Sequence, residues 1–140
     1  MNRIYVSHSI RGKFGNEATP KQMKVNCDKA IGFGKRLKLR FPSVEQYDGE
    51  VKVDWYVPAD HDEIISLAYQ KGYITDTQIL ELDCVILNKC MGLLVYAPDN
   101  FISAGMQIEI DYAREHKIPT LILFNPKIHW EGITEFVEGL

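Results

Sequence analysis

Met91-Gly92-Leu93-Leu94-Val95-Tyr96, followed at once by Ala97-Pro98-Asp99-Asn100, is the stretch that decides the fold class. A nearly continuous apolar run with no polar alternation fits a strand buried on both faces, as at the centre of a parallel sheet. Its length suits a strand better than a helix, and the Pro-Asp-Asn cluster is a strand exit.

Downstream, residues 103–116 carry apolar side chains at helical intervals, residues 119–124 form a second apolar strand, and Asn125-Pro126 closes it. Upstream, residues 75–88 and 60–71 have helical spacing, with Gly72 as a C-cap between them. Val51, Val53 and Trp55 alternate with Lys52, Asp54 and Tyr56, which predicts a strand over 51–57 ended by Pro58. Residues 42–50 are rich in turn formers and charges and read as a surface excursion. Before them, Met23, Cys27, Ala30, Ile31 and Leu37 predict a crossover helix over 21–39, ended by Phe41-Pro42. A strand over 3–8 and a polar loop over 9–13 complete the N-terminal part. The resulting order, βαβααβαβ, predicts a doubly wound, mainly parallel Rossmann-like (flavodoxin-like) sheet in one domain spanning 1–140, with ligands at the carboxyl ends of the strands. The loops over 9–13 and 98–105 both fall at such ends.

Composition narrows the function classes. With 140 residues, 46% hydrophobic and 25% charged, the chain has the balance of an ordinary globular domain and is long enough to bury a core without staples. A net charge of -3, with Lys35, Arg36, Lys38 and Arg40 as the one modest basic cluster, argues against a nucleic-acid binder. The first nine residues hold too short an apolar run for a signal peptide, and no stretch approaches a membrane span, so a cytoplasmic protein is expected. Cys27, Cys84 and Cys90 form no CxxC pair and read as buried thiols of a reducing compartment. The histidines His8, His61, His116 and His129 are scattered, so no metal and no cofactor is expected.

Glu109 is the sharpest candidate for chemistry. Its neighbours three and four positions away on the predicted helix are Gly105, Met106, Tyr112 and Ala113, which puts it on or beside the buried face, although spacing alone equally allows an exposed helix glutamate. Arg11, in a loop with Ser9, Ile10 and Gly12, can aim a guanidinium, a hydroxyl and backbone N–H groups at a phosphate, or can be an ordinary loop arginine. Ser103 reads as a helix N-cap or a ligand contact, roles that are compatible. Asp83, with Leu80 and Leu87 at helical distance, is either partly shielded or a surface aspartate, and Tyr5 is a core aromatic unless it serves the site.

Taken together, Ile4-Tyr5-Val6, Ser9-Ile10-Arg11-Gly12, Asp83 before the central strand, and Ser103-x-Gly105-x-x-x-Glu109-Ile110-x-Tyr112-Ala113 after it resemble the nucleoside 2-deoxyribosyltransferase superfamily. Within it they look most like the 2'-deoxynucleoside 5'-monophosphate N-hydrolases. The resemblance runs from about residue 3 to residue 124. It implies Glu109 as the nucleophile at the anomeric carbon, Asp83 as the acid or base-side group, and Tyr5 as the residue that orients Glu109. It further implies a 5'-phosphate held by Ser9, Ile10, Arg11 and Gly12 with Ser103 and Gly105, since the related transferases keep an aspartate where this chain has Ser103. The implied activity is cleavage of a (deoxy)ribonucleoside 5'-monophosphate to free base and sugar 5-phosphate. Base exchange, a nucleotide binder without turnover and an NAD glycohydrolase are the alternatives. Lys13, Asp111 and Met91 depart from the pattern, and Met91 bears on base recognition. The resemblance also implies a homo-oligomer; the stretch over 125–140, with Trp130 and Phe136, would supply its interface or pack on the chain's own core.

Overall fold

The computed structural model describes residues 2–41, 53–124 and 127–140. Four strands, β1 (Asn2–His8), β2 (Val53–Tyr56), β3 (Gly92–Tyr96) and β4 (Thr120–Leu123), form one sheet in the order β2-β1-β3-β4. Every pairing is parallel, with Tyr5 opposite both Tyr56 and Leu93, and Leu94 opposite Leu121. Among the described residues the α-helices are α1 (Pro20–Arg40), α2 (Asp62–Gln70), α3 (Asp76–Leu87), α4 (Ala104–Glu115) and α5 (Trp130–Glu138). The α/β class with a parallel, doubly wound sheet is the one the apolar run of β3 predicts. The excursion over 42–50, the first residues of the strand predicted over 51–57, and Asn125-Pro126 lie outside the described residues.

Strand alternation divides the core. Ile4 and Val6 point to one face, where Phe33 and Leu37 of α1 and Ile133 and Val137 of α5 cover them. Tyr5 points to the other, against Leu87 at the end of α3 and Met106, Ile110 and Ala113 of α4. Leu93, Leu94 and Val95 are fully buried because β3 has a strand on each side and helices on both faces.

Local chemistry fixes the helix ends. Thr19 and Thr75 each form a capping box with the glutamine three residues on, Gln22 and Gln78, at 2.9–3.2 Å. Gly72, at φ +72°, supplies the left-handed turn that ends α2, as its position predicts.

Two elements go beyond the sequence reading, and of its two alternatives for residues 125–140 the described part takes packing on the chain's own core. The loop after β1 runs into a 3-10 segment, Gly12–Glu17. The C-terminal stretch contains α5, whose Ile133 and Val137 are core residues and whose Trp130 and Phe136 pack against the same core, so it covers the sheet of its own chain. Among the cysteines, Cys27 and Cys90 are buried and free, but Cys84 is only partly covered.

Candidate active site

The chain runs outward from β1 to β2 and then crosses back to β3, so the direction of winding reverses between the carboxyl ends of β1 and β3. The loops leaving those strands flank that point. Ser9 Oγ accepts the Gly12 amide at 2.8 Å, and Ile10 contributes its carbonyl to Asn26 Nδ2 at 2.9 Å. Gly12 sits at φ +63°, a backbone conformation that favours glycine, and a Cβ there would stand 2.9 Å from Asn26 Nδ2 and push that side-chain tip aside. After β3, Ser103 caps α4 by accepting from the Met106 amide at 3.2 Å. A Cβ on Gly105 would meet Leu80 Cδ2 at 3.4 Å, ordinary van der Waals contact, so α4 passes α3 there with room for a small side chain.

Glu109 is 5% exposed and lies on the face of α4 that also buries Met106, Ile110 and Ala113. Its Oε1 accepts a 2.9 Å hydrogen bond from Ser7 Oγ. Ser7 follows Tyr5 by two positions on β1, so both side chains leave the strand toward α4. Asp83 approaches from α3, and its charge and the Tyr5 phenol both act on Glu109. Neither Tyr5 Oη nor Glu109 Oε2 has a hydrogen-bond partner of acceptable geometry among the described residues, though both are buried. The phenol and the two carboxyl groups are thus neighbours that are not fully engaged with one another. Behind them the rings continue outward: Tyr56 lies 5.4 Å from Tyr5, and His61 stacks on Tyr56 at 5.2 Å.

The electrostatics follow from burial. Desolvation pushes the Glu109 carboxyl up to about 7; the nearby Tyr5 phenol and the Ser7 hydrogen bond pull it back, and the Asp83 charge pushes it further up. Burial likewise raises Asp83 to about 6, with the Tyr5 phenol opposing. The Tyr5 phenol is held well above its ordinary value by burial and then by the two carboxylates, so it remains a proton donor. With values near 6 and 7, Asp83 is mostly ionised and Glu109 about half protonated at neutral pH, so both groups titrate in the range where acid–base chemistry on a glycosidic bond operates.

The structure therefore brings Glu109, Asp83 and Tyr5 together and adds Ser7, which the sequence reading missed. The signal was present: a serine two positions after Tyr5 shares its face of the strand. Arg11 is placed differently. Its Nη1 donates to Asn16 Oδ1 at 2.8 Å, which turns the guanidinium along the 3-10 segment. Ser103 and Glu109 lie on one helix, about 9 Å apart along its axis, so an anion at the α4 N-terminus and a sugar at Glu109 fall within one ligand's reach. Among the described residues no three His, Cys, Asp or Glu side chains form a group able to hold a metal ion, and no helix is long and apolar enough to cross a membrane.

Fold and site together define a doubly wound α/β protein with a buried glutamate, Glu109, and a half-buried aspartate, Asp83, beside its switch point. Comparison with family profiles, curated proteins and solved structures matches none of them to this chain.

Proposed function

We propose that this protein hydrolyses the N-glycosidic bond of a (deoxy)ribonucleoside 5'-monophosphate. The observation that carries the reading is the buried Glu109 carboxylate, fixed through one oxygen by Ser7 and paired with a protonatable Asp83. In the first step, taken by the form that carries the proton on Asp83 and leaves Glu109 ionised, Glu109 Oε2 attacks C1', the bond electrons leave with the base, and Asp83 gives its proton to the departing ring nitrogen. In the second, Asp83 takes a proton from water as the oxygen attacks C1', the glycosyl ester opens, and Glu109 is regenerated. This division of labour is that of a retaining glycosidase. Tyr5 orients Glu109, and the 5'-phosphate lies against Ser9, Ile10, Arg11 and Gly12 with Ser103 and Gly105; Arg11 leaves Asn16 to reach it.

The resemblance to the 2'-deoxynucleoside 5'-monophosphate N-hydrolases supports the same reading and favours hydrolysis over base exchange through Ser103. The substrate is then a small nucleotide, with no cofactor and no nucleic acid, in a cytoplasmic homo-oligomer. Exposed apolar residues on α2 and α3, Ile64 and Leu67 with Leu82 and Val85, support self-association there rather than at α5.

Incubating the protein with a panel of nucleoside monophosphates and separating the products by chromatography tests the reading. Free base and sugar phosphate are expected from at least one. Folded protein that releases no base from any of them refutes it, and release only on addition of an acceptor base would turn it toward transfer.

A further inference from the structure

Two adjoining hollows lie on the α1 side of the loop that follows β1, away from Glu109. The smaller, about 30 Å³, is lined by His8, Lys29 and Tyr96, and the larger, about 310 Å³, by Lys13, Phe14 and Lys21; Gly12, Asn26 and Asp99 line both. Three lysines face one carboxylate, so the pair of hollows is cationic.

His8 closes the inner end of the smaller hollow. Its Nε2 accepts the Ala59 amide at 3.1 Å, which puts the ring proton on Nδ1. Nδ1 is buried beside the Ser9 backbone, so the ring is a fixed wall and the donors that reach an anion in the hollows are the lysine ammonium groups. Burial also lowers His8 to about 4, so the ring is neutral at physiological pH and the lysines supply the charge. On the larger hollow, Phe14 is 58% exposed and Val25 44%, an apolar surface on which a flat ring can rest.

Ser7 and His8 are consecutive on β1 and point to opposite faces of the sheet. The carboxylate site and the cationic hollows therefore flank one strand end, at the point where doubly wound sheets take dinucleotides with the pyrophosphate across the loop. We propose that these hollows form a second anion subsite, which takes the distal phosphate and the group beyond it of a pyrophosphate-bearing nucleotide such as a nucleoside diphosphate or a dinucleotide. The inference rests on the proposed function, since it assigns the proximal half of the same substrate to Glu109, and it widens the substrate class beyond monophosphates.

The test is calorimetric binding of a nucleoside monophosphate, the matching diphosphate, NAD and inorganic pyrophosphate to the Glu109→Gln protein, so that no turnover intervenes. The diphosphate and NAD should bind about tenfold more tightly than the monophosphate, the scale of one charge-assisted contact. Lys21 and Lys29 are exposed, so Lys21→Ala/Lys29→Ala folds; it should remove that advantage and leave monophosphate binding within about twofold, while Lys35→Ala changes nothing. Equal affinities for monophosphate and diphosphate, or an advantage that survives the double substitution, overturn the subsite and leave the monophosphate reading intact. Lysine-dependent binding of pyrophosphate with no binding of any nucleotide supports the anion subsite and overturns the assignment of a nucleotide to it.

Discussion

Ser7 Oγ and Glu109 Oε1 lie 2.9 Å apart, a buried hydrogen bond that ties the carboxyl end of β1 to the middle of α4 across 102 residues of chain. The hydroxyl donates, so the bond favours the charged carboxylate and partly offsets the burial that pushes Glu109 up. It also distinguishes the two oxygens, because Oε1 is held and Oε2 is free to react.

Ser7 is accordingly a positioning residue. With the carboxyl pair near 6 and 7, kcat/KM for base release should follow a bell with its maximum between those values. Ser7→Ala should move the limb set by Glu109 toward higher pH by about one unit, leave the Asp83 limb in place, and lower the rate at pH 7 by about tenfold. Ser7→Thr, which keeps a hydroxyl, should restore the profile. A pH–rate profile of the three proteins decides it; an unshifted bell in Ser7→Ala would remove Ser7 from the account.

Asp83 acts on Glu109 in the opposite sense, raising its affinity for protons. Asp83→Asn should therefore lower the Glu109 value while depriving the departing base of its proton, a loss of about 10²- to 10⁴-fold in kcat. Carbon-13 chemical shifts of the Glu109 carboxyl across pH and steady-state rates separate the two effects. A rate unchanged by the substitution would assign the proton to another group.

Glu109 also couples stability to pH. Its value in the folded protein, about 7, lies above its ordinary 4.5, so the folded state binds the extra proton. The resulting stabilisation is fully present below pH 4.5 and is lost as pH rises through 7, to an extent of about 3 kcal/mol. His8 has the reverse sign: its value falls to about 4, and its contribution is lost as pH drops from 6.5 toward 4. Urea denaturation of wild type and Glu109→Gln isolates the glutamate, because His8 is common to both. From pH 5 to pH 8 the wild type should lose stability relative to the variant; parallel curves would mean that Glu109 is solvated.

Gly12→Ala tests the loop between the two halves of the proposed substrate. The left-handed φ and the 2.9 Å approach to Asn26 Nδ2 together should cost about 1 to 3 kcal/mol and displace the Asn26 bond to the Ile10 carbonyl. Thermal unfolding with amide chemical shifts of Ile10 reads both; an unperturbed loop would show that the turn tolerates a side chain.

The parallel sheet was legible because β3 is apolar throughout and α4 keeps helical spacing across twelve residues. Glu109 was legible for the same reason, lying among small and apolar neighbours on one helix stripe. The helix α5 was not read, although Trp130, Ile133 and Val137 have helical spacing, because Gly132, Gly139 and the preceding Asn-Pro dilute a nine-residue signal. Ser7 and His8 escaped because a strand pattern says which face a residue takes but not what waits opposite it; their partners, Glu109 and Ala59, are 102 and 51 residues away. The orientation of Arg11 toward Asn16 was likewise beyond the pattern, since a loop motif does not fix a long side chain's rotamer.

The most direct measurement is the rate of base release from a nucleotide substrate by wild type and by Glu109→Gln, with substrate affinity measured alongside. The account predicts a fall in kcat of at least about 10³-fold with binding retained within about threefold, the signature of a lost nucleophile. A variant that still releases base at a rate near that of the wild type would contradict it.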